Sequence, residues 1–210
     1  MRDPSPTLYQ WDRMSCETAC VGQLLYMHEV IELDELLTLD QRIGRKEDEA
    51  DLENGNLRLL FETGFFVREV SSVDVERLAG RDGMPYLRSR WIEAGDDEEE
   101  VDGSLQEVYP KIRARAIRKL KIIDTFSRQY EHVLRDATPH DLSDMVSQGW
   151  QVRCDVIRPH GESHALLVIQ RVSGGRYQVF DSLRGVSTMA IKQFAARLLP
   201  GLQGYRLPAS

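Results

Sequence analysis

The 210-residue chain is short of cysteine, of net positive charge and of long apolar runs, and each shortage excludes something. Cys16, Cys20 and Cys154 are an odd number, and no second pair of Cys or His ligands follows the first two. That spacing argues against a zinc site, and no cofactor is expected. Free thiols suit a reducing compartment. With 34 Asp and Glu against 27 Lys and Arg the formal charge is -7. This balance argues against a surface devoted to nucleic acid or anionic membrane. No uninterrupted apolar stretch approaches the roughly 20 residues that cross a bilayer. Residues 1–10 carry Asp3, Pro4 and Pro6 and lack the apolar core of a secretory signal. The expectation is a cytoplasmic protein without a transmembrane segment; export by a route that reads a different signal is left open.

What is present is enough for one core, since 41% of the residues are hydrophobic. We expect a single domain over 1–210 with a charged helical insertion at about 84–135. A helix is expected to open at Cys16, with Ser15 as its N-cap and Ala19, Cys20, Leu24 and Met27 at helical spacing. Short helices follow over 32–39 and 41–52, with a break at Asn54-Gly55-Asn56. A helix over 57–63 ends at Gly64, an extended segment covers 65–70, and a short helix spans 74–79. Residues 95–103 are so acidic that a solvated loop is expected. A basic helix should then begin at Pro110, with Lys111, Arg113, Arg115, Arg118, Lys119 and Lys121 around an apolar stripe. Over 111–121 it could dock an acidic or anionic partner, or merely be wet. A helix over 138–146 leads to a strand from Trp150 to Ile157. The last elements are a strand opening at His164, a turn at Ser173-Gly174-Gly175, a returning strand to Asp181, and a helix over 190–199 stopped by Pro200-Gly201.

Chemistry concentrates at three places along this order. A thiol at a helix start lies among unpaired backbone N–H groups and the positive end of the dipole, which favour thiolate. Cys16 is therefore the candidate nucleophile, whereas Cys20 and Cys154 suit the core. His164 is the candidate base, with His160 as its competitor in the same loop; His28, His132 and His140 read as surface residues. If Ser173 and Gly174 are the central turn residues, Asp181 lies opposite Leu166, on the face of His164 and diagonal to it. If Gly174 and Gly175 are central, Asp181 keeps the face but moves two residues away.

Gln10, Cys16 at a helix start, the late His164 and Asp181 closing the next strand together resemble the papain-like cysteine peptidases of the C39 type. The resemblance covers Tyr9 to about Met27, then Leu57 to Leu78 loosely, then His140 to about Leu199. It implies an α+β fold, with an N-terminal helical half carrying the nucleophile helix packed on a C-terminal antiparallel sheet. It also implies that Gln10 and the Cys16 N–H form an oxyanion hole, that His164 is the base and that Asp181 orients it. A peptide or protein substrate would then be hydrolysed through a thioester. Amine attack on that thioester would make the same scaffold an acyltransferase or transglutaminase, and a side-chain amide substrate would make it a deamidase. One departure stands out: Glu17 follows the nucleophile where the family commonly has Gly, and a carboxylate there opposes the thiolate. That departure keeps a further reading in play, a non-catalytic module that binds a peptide or partner.

Overall fold

Ala19, Cys20, Leu24 and Met27 are all fully buried, and the helix they define runs Cys16–Met27 (α1). The structure is a computed structural model and describes residues 1–4, 15–45, 54–158 and 161–208. These residues form two compact units, one of Met1–Ser72 with Arg128–Ser210 and one of Val73–Ser127.

In the first unit α1 leads through a 3-10 turn (Glu35–Thr38) to Leu39–Ile43 (α2) and Gly55–Glu62 (α3). Asn54 takes a left-handed φ of 55°, so the expected break lies at Asn54 alone and Gly55 already opens the helix. Phe66–Ser71 (β1) follows as the extended segment. The helices Val75–Ala79 (α4), Gly83–Ala94 (α5) and Glu98–Thr125 (α6) make up the second unit. The chain then returns to the first unit with Tyr130–Leu134 (β2), Pro139–Ser147 (α7), Gln151–Ile157 (β3), Ser163–Val172 (β4) and Arg176–Asp181 (β5). Gly185–Ala190 (β6), Lys192–Ala195 (α8) and Leu198–Arg206 (β7) complete it.

The strands form a seven-stranded sheet in the order β2-β1-β7-β3-β4-β5-β6. β1 and β2 run parallel; every other neighbouring pair is antiparallel. The architecture is α+β, and the sheet is mixed rather than wholly antiparallel. Along β3 the residues alternate. Val152, Cys154 and Val156 join the buried cluster that holds Leu142, Met145 and Val146 of α7, while Gln151 and Arg153 reach α1 through His28 and Glu17.

Three expectations are corrected. The acidic segment is not a loop from end to end, because α6 begins at Glu98. Asp97 caps it by accepting from the Glu99 and Glu100 N–H groups, and its three first-turn glutamates sit where the helix dipole favours negative charge. Pro110 therefore lies inside α6, and the basic stretch 111–121 is the continuation of that helix. The expected helix over 190–199 shrinks to the four residues of α8, and Pro200-Gly201 fall within β7. This last strand is central, between β1 and β3, where Leu202 and Tyr205 are each 1% exposed. Burial on both sides of the sheet outweighs the local turn signal, and the β3–β7 ladder is irregular between Cys154 and Val156, next to the proline.

In the second unit Val75, Leu78, Tyr86 and Ala116 make a small apolar cluster. Arg88 binds Asp102 at 2.6 Å and also pairs with Glu98, tying α5 to the acidic start of α6.

Candidate active site

Cys16 is the first residue of α1, preceded by Ser15 at the cap position. The Ser15 side chain makes no capping bond to the helix; its carbonyl accepts the Ala19 N–H at 2.8 Å. The helix is held in place by Asn56 Nδ2 of α3, which donates to Thr18 Oγ1 at 3.2 Å, and by His28, whose Nε2 lies 3.3 Å from Gln151 of β3.

The β4–β5 hairpin carries the other two groups, and its register is set in two steps. Val172 pairs with Arg176 around a three-residue turn, one residue longer than either turn the sequence suggested. Continued without a break, that pairing would set Asp181 opposite Leu167, on the wrong face. A register shift between Val168 and Gln170 removes the offset, so that Leu166 pairs with Asp181. The bulge thus restores the pairing expected for a Ser173-Gly174 turn. His164 Nε2 donates to Asp181 Oδ1 at 2.8 Å, and the same oxygen accepts the Leu183 N–H at 2.8 Å. The carboxylate is therefore fixed from two directions.

The Cys16 thiol lies beside His164 and the backbone N–H of Ala165, and both favour its ionised form. Since Nε2 faces Asp181, the ring nitrogen left for the sulfur is Nδ1. Cys16 is half-buried and His164 is 4% exposed. Burial pushes the Cys16 thiol up, yet the His164 hydrogen bond, the Ala165 N–H and the nearby imidazole together bring it below its ordinary value. Burial likewise opposes charge on His164, but the bonds to Asp181 and Cys16 leave its pKa raised. Asp181 is pulled down against its own burial by His164 and the Leu183 N–H. All three directions favour a thiolate, an imidazolium and a carboxylate in a row.

Cys20, one turn deeper, and Cys154 are fully buried. Burial drives the Cys20 thiol well up and that of Cys154 to about 12, so neither competes as a nucleophile near neutrality. Gln10 and His160 lie outside the described residues. His28 is partly buried against Phe65, with ring centroids 5.2 Å apart, so it is not a plain surface residue. His132 sits on β2, its Nε2 3.3 Å from Ser71 Oγ, and only His140 is largely exposed. Among the described residues no group of three or more His, Cys, Asp and Glu is placed to hold a metal ion.

Two contributors escape a reading of the sequence. The Ala165 N–H has no side-chain signature. Arg153 looks like a solvent-facing strand residue but pairs with Glu17. The signal available was Glu17 itself, a carboxylate beside the thiol that called for a partner.

No protein-family model and no curated protein matches this sequence. Solved structures do resemble the fold. The peptidase domain of Streptococcus ComA, a bifunctional ABC transporter involved in a quorum-sensing pathway, aligns over 96% of this chain and 97% of its own at 10% identity, with a TM-score of 0.48. A double-glycine-motif protease from an AMS/PCAT transporter, solved with its leader peptide, aligns over 97% and 91% at 9% identity, with a TM-score of 0.44. At these scores the assignment of a function rests on this chain's own geometry.

Proposed function

We propose that this chain is a papain-like cysteine peptidase of the C39 type that hydrolyses a peptide or protein amide bond through a thioester. The observation that carries the reading is the position of His164, whose ring is hydrogen-bonded to the Asp181 carboxylate and lies beside the Cys16 sulfur. In the proposed cycle the Cys16 thiolate attacks the carbonyl carbon. The resulting oxyanion is met by the Cys16 N–H at the start of α1 and, in the role the resemblance gives it, by the Gln10 side chain. The His164 imidazolium passes a proton to the leaving amine as the C–N bond breaks, leaving a thioester. His164 then takes a proton from water, the hydroxide attacks the thioester, and the acid product leaves with the thiolate regenerated. Asp181 keeps the Nε2 proton in place throughout, which directs Nδ1 at the sulfur.

The test has two arms. Iodoacetamide labelling at neutral pH, read by mass spectrometry, should modify Cys16 and spare Cys20 and Cys154; equal or inverted labelling would overturn the assignment. Incubation with a peptide library should give cleavage that Cys16→Ala abolishes. An added amine acceptor separates outcomes on the same scaffold, because product carrying the amine would mean acyl transfer rather than hydrolysis.

A further inference from the structure

The residue following Cys16 is a carboxylate, and a free carboxylate there would hold the proton on the sulfur. Glu17 is not free. Its Oε1 pairs with Arg153 Nη1, and Arg153 Nη2 also reaches Asp155 Oδ2 at 3.0 Å. The Arg153 side chain is only 14% exposed, against 30% for Glu17 and 33% for Asp155. Partly buried, this contact is screened less than a fully exposed ion pair, and the forked guanidinium can serve both carboxylates at once. The other titratable groups facing Arg153 are Cys20 of α1, Cys154 of β3 and Tyr205 of β7. Burial keeps all three protonated and uncharged at neutral pH. Facing the Cys16 sulfur are His164 and the Ala165 N–H from β4, with Glu17 and Cys20 from its own helix. Among the described residues, Glu17 is thus the negative charge beside the thiol, and Arg153 is the cation that pairs with it.

We propose that Arg153 is a positioning residue for the nucleophile: by pairing with Glu17 it pins the first turn of α1 to β3 and offsets the carboxylate that would otherwise oppose a Cys16 thiolate. The pairing explains how the chain carries Glu17 next to a reactive sulfur. It makes Glu17 and Arg153 a coupled pair, in which losing the cation alone does more harm than losing both.

This inference rests on reading Cys16 as the nucleophile, so its test reads the thiol directly. The rate of iodoacetamide labelling of Cys16 is followed against pH in the whole protein, with circular dichroism as the check on folding. Arg153→Gln should move the profile to higher pH by about one unit and slow labelling at pH 7 about tenfold. The double variant Glu17→Gln/Arg153→Gln should recover to within about threefold of the parent, and Arg153→Lys should lie between the parent and Arg153→Gln. A purely structural role for Arg153 would leave the double variant no better than the single one, and that result, or an unmoved profile in Arg153→Gln, overturns the proposal. If Arg153→Gln does not fold, Glu17→Gln decides: the profile should move to lower pH, and no movement or an alkaline one sinks the idea. An inert Cys16 in the parent protein would instead sink the nucleophile assignment, so the two failures are distinguishable.

Discussion

At the residue scale, His164 stands between two groups that both favour its charged form, and this fixes the sign of the pH dependence. Cys16 keeps its thiolate to lower pH than an ordinary thiol, and His164 keeps its proton above the ordinary 6.5. Activity should therefore be bell-shaped. It rises as Cys16 loses its proton and falls as His164 loses its own, and the two apparent constants belong to the coupled pair. Asp181→Asn removes the charge that helps raise His164, so the alkaline limb should move to lower pH and the rate at the optimum should fall at least about tenfold. A pH–rate profile checks both; an unmoved alkaline limb would contradict the role given to Asp181. The residues proposed for the site are legible to different degrees for physical reasons. Cys16, His164 and Asp181 carry chemistry that their neighbours announce. Arg153 does not, because in a strand of alternating residues a charged side chain on the less apolar face looks solvated until another element covers it.

At the element scale, proline and glycine were misleading as punctuation. Pro110 forfeits one helical hydrogen bond, and α6 continues because Val101, Leu105, Tyr109 and Ala116 are all buried along it. Pro200-Gly201 look like a stop in the sequence, yet they lie in the strand that joins the two parts of the sheet. The hairpin was legible as a hairpin, but its bulge was not. The run from Ala165 to Ile169 is buried throughout and offers no alternation from which to read a register. Packing at this scale can be tested on β7. A Cβ built on Gly204 would stand 2.3 Å from Met145 Cε and 3.2 Å from Trp150 Cε3. Gly204→Ala should therefore cost about 1–3 kcal/mol in urea denaturation, and adding Met145→Ala should return part of the loss relative to Met145→Ala alone. Leu142→Ala, at a fully buried position on α7, should cost about 2–5 kcal/mol by the same measurement.

At the scale of the whole molecule, the parallel pairing of β1 and β2 requires a crossover, and residues 73–127 are that crossover. Val67 pairs with Tyr130 and Ser71 with Leu134, so a replacement connection must run back along about 13 Å of strand. A flexible linker of about ten residues is long enough. Replacing 73–127 with it should leave a folded first unit by circular dichroism in which Cys16 still labels; an unfolded product would show that the two units depend on one another. The position of β7 sets the order in which the sheet can be completed. Until 198–206 arrive, β2-β1 and β3-β4-β5-β6 are two separate ribbons, because among the described residues β7 alone pairs with both β1 and β3. During synthesis the hairpin with His164 and Asp181 can close early, while full assembly waits for a strand made more than a hundred residues after β1, a long-range closure of the kind that slows folding.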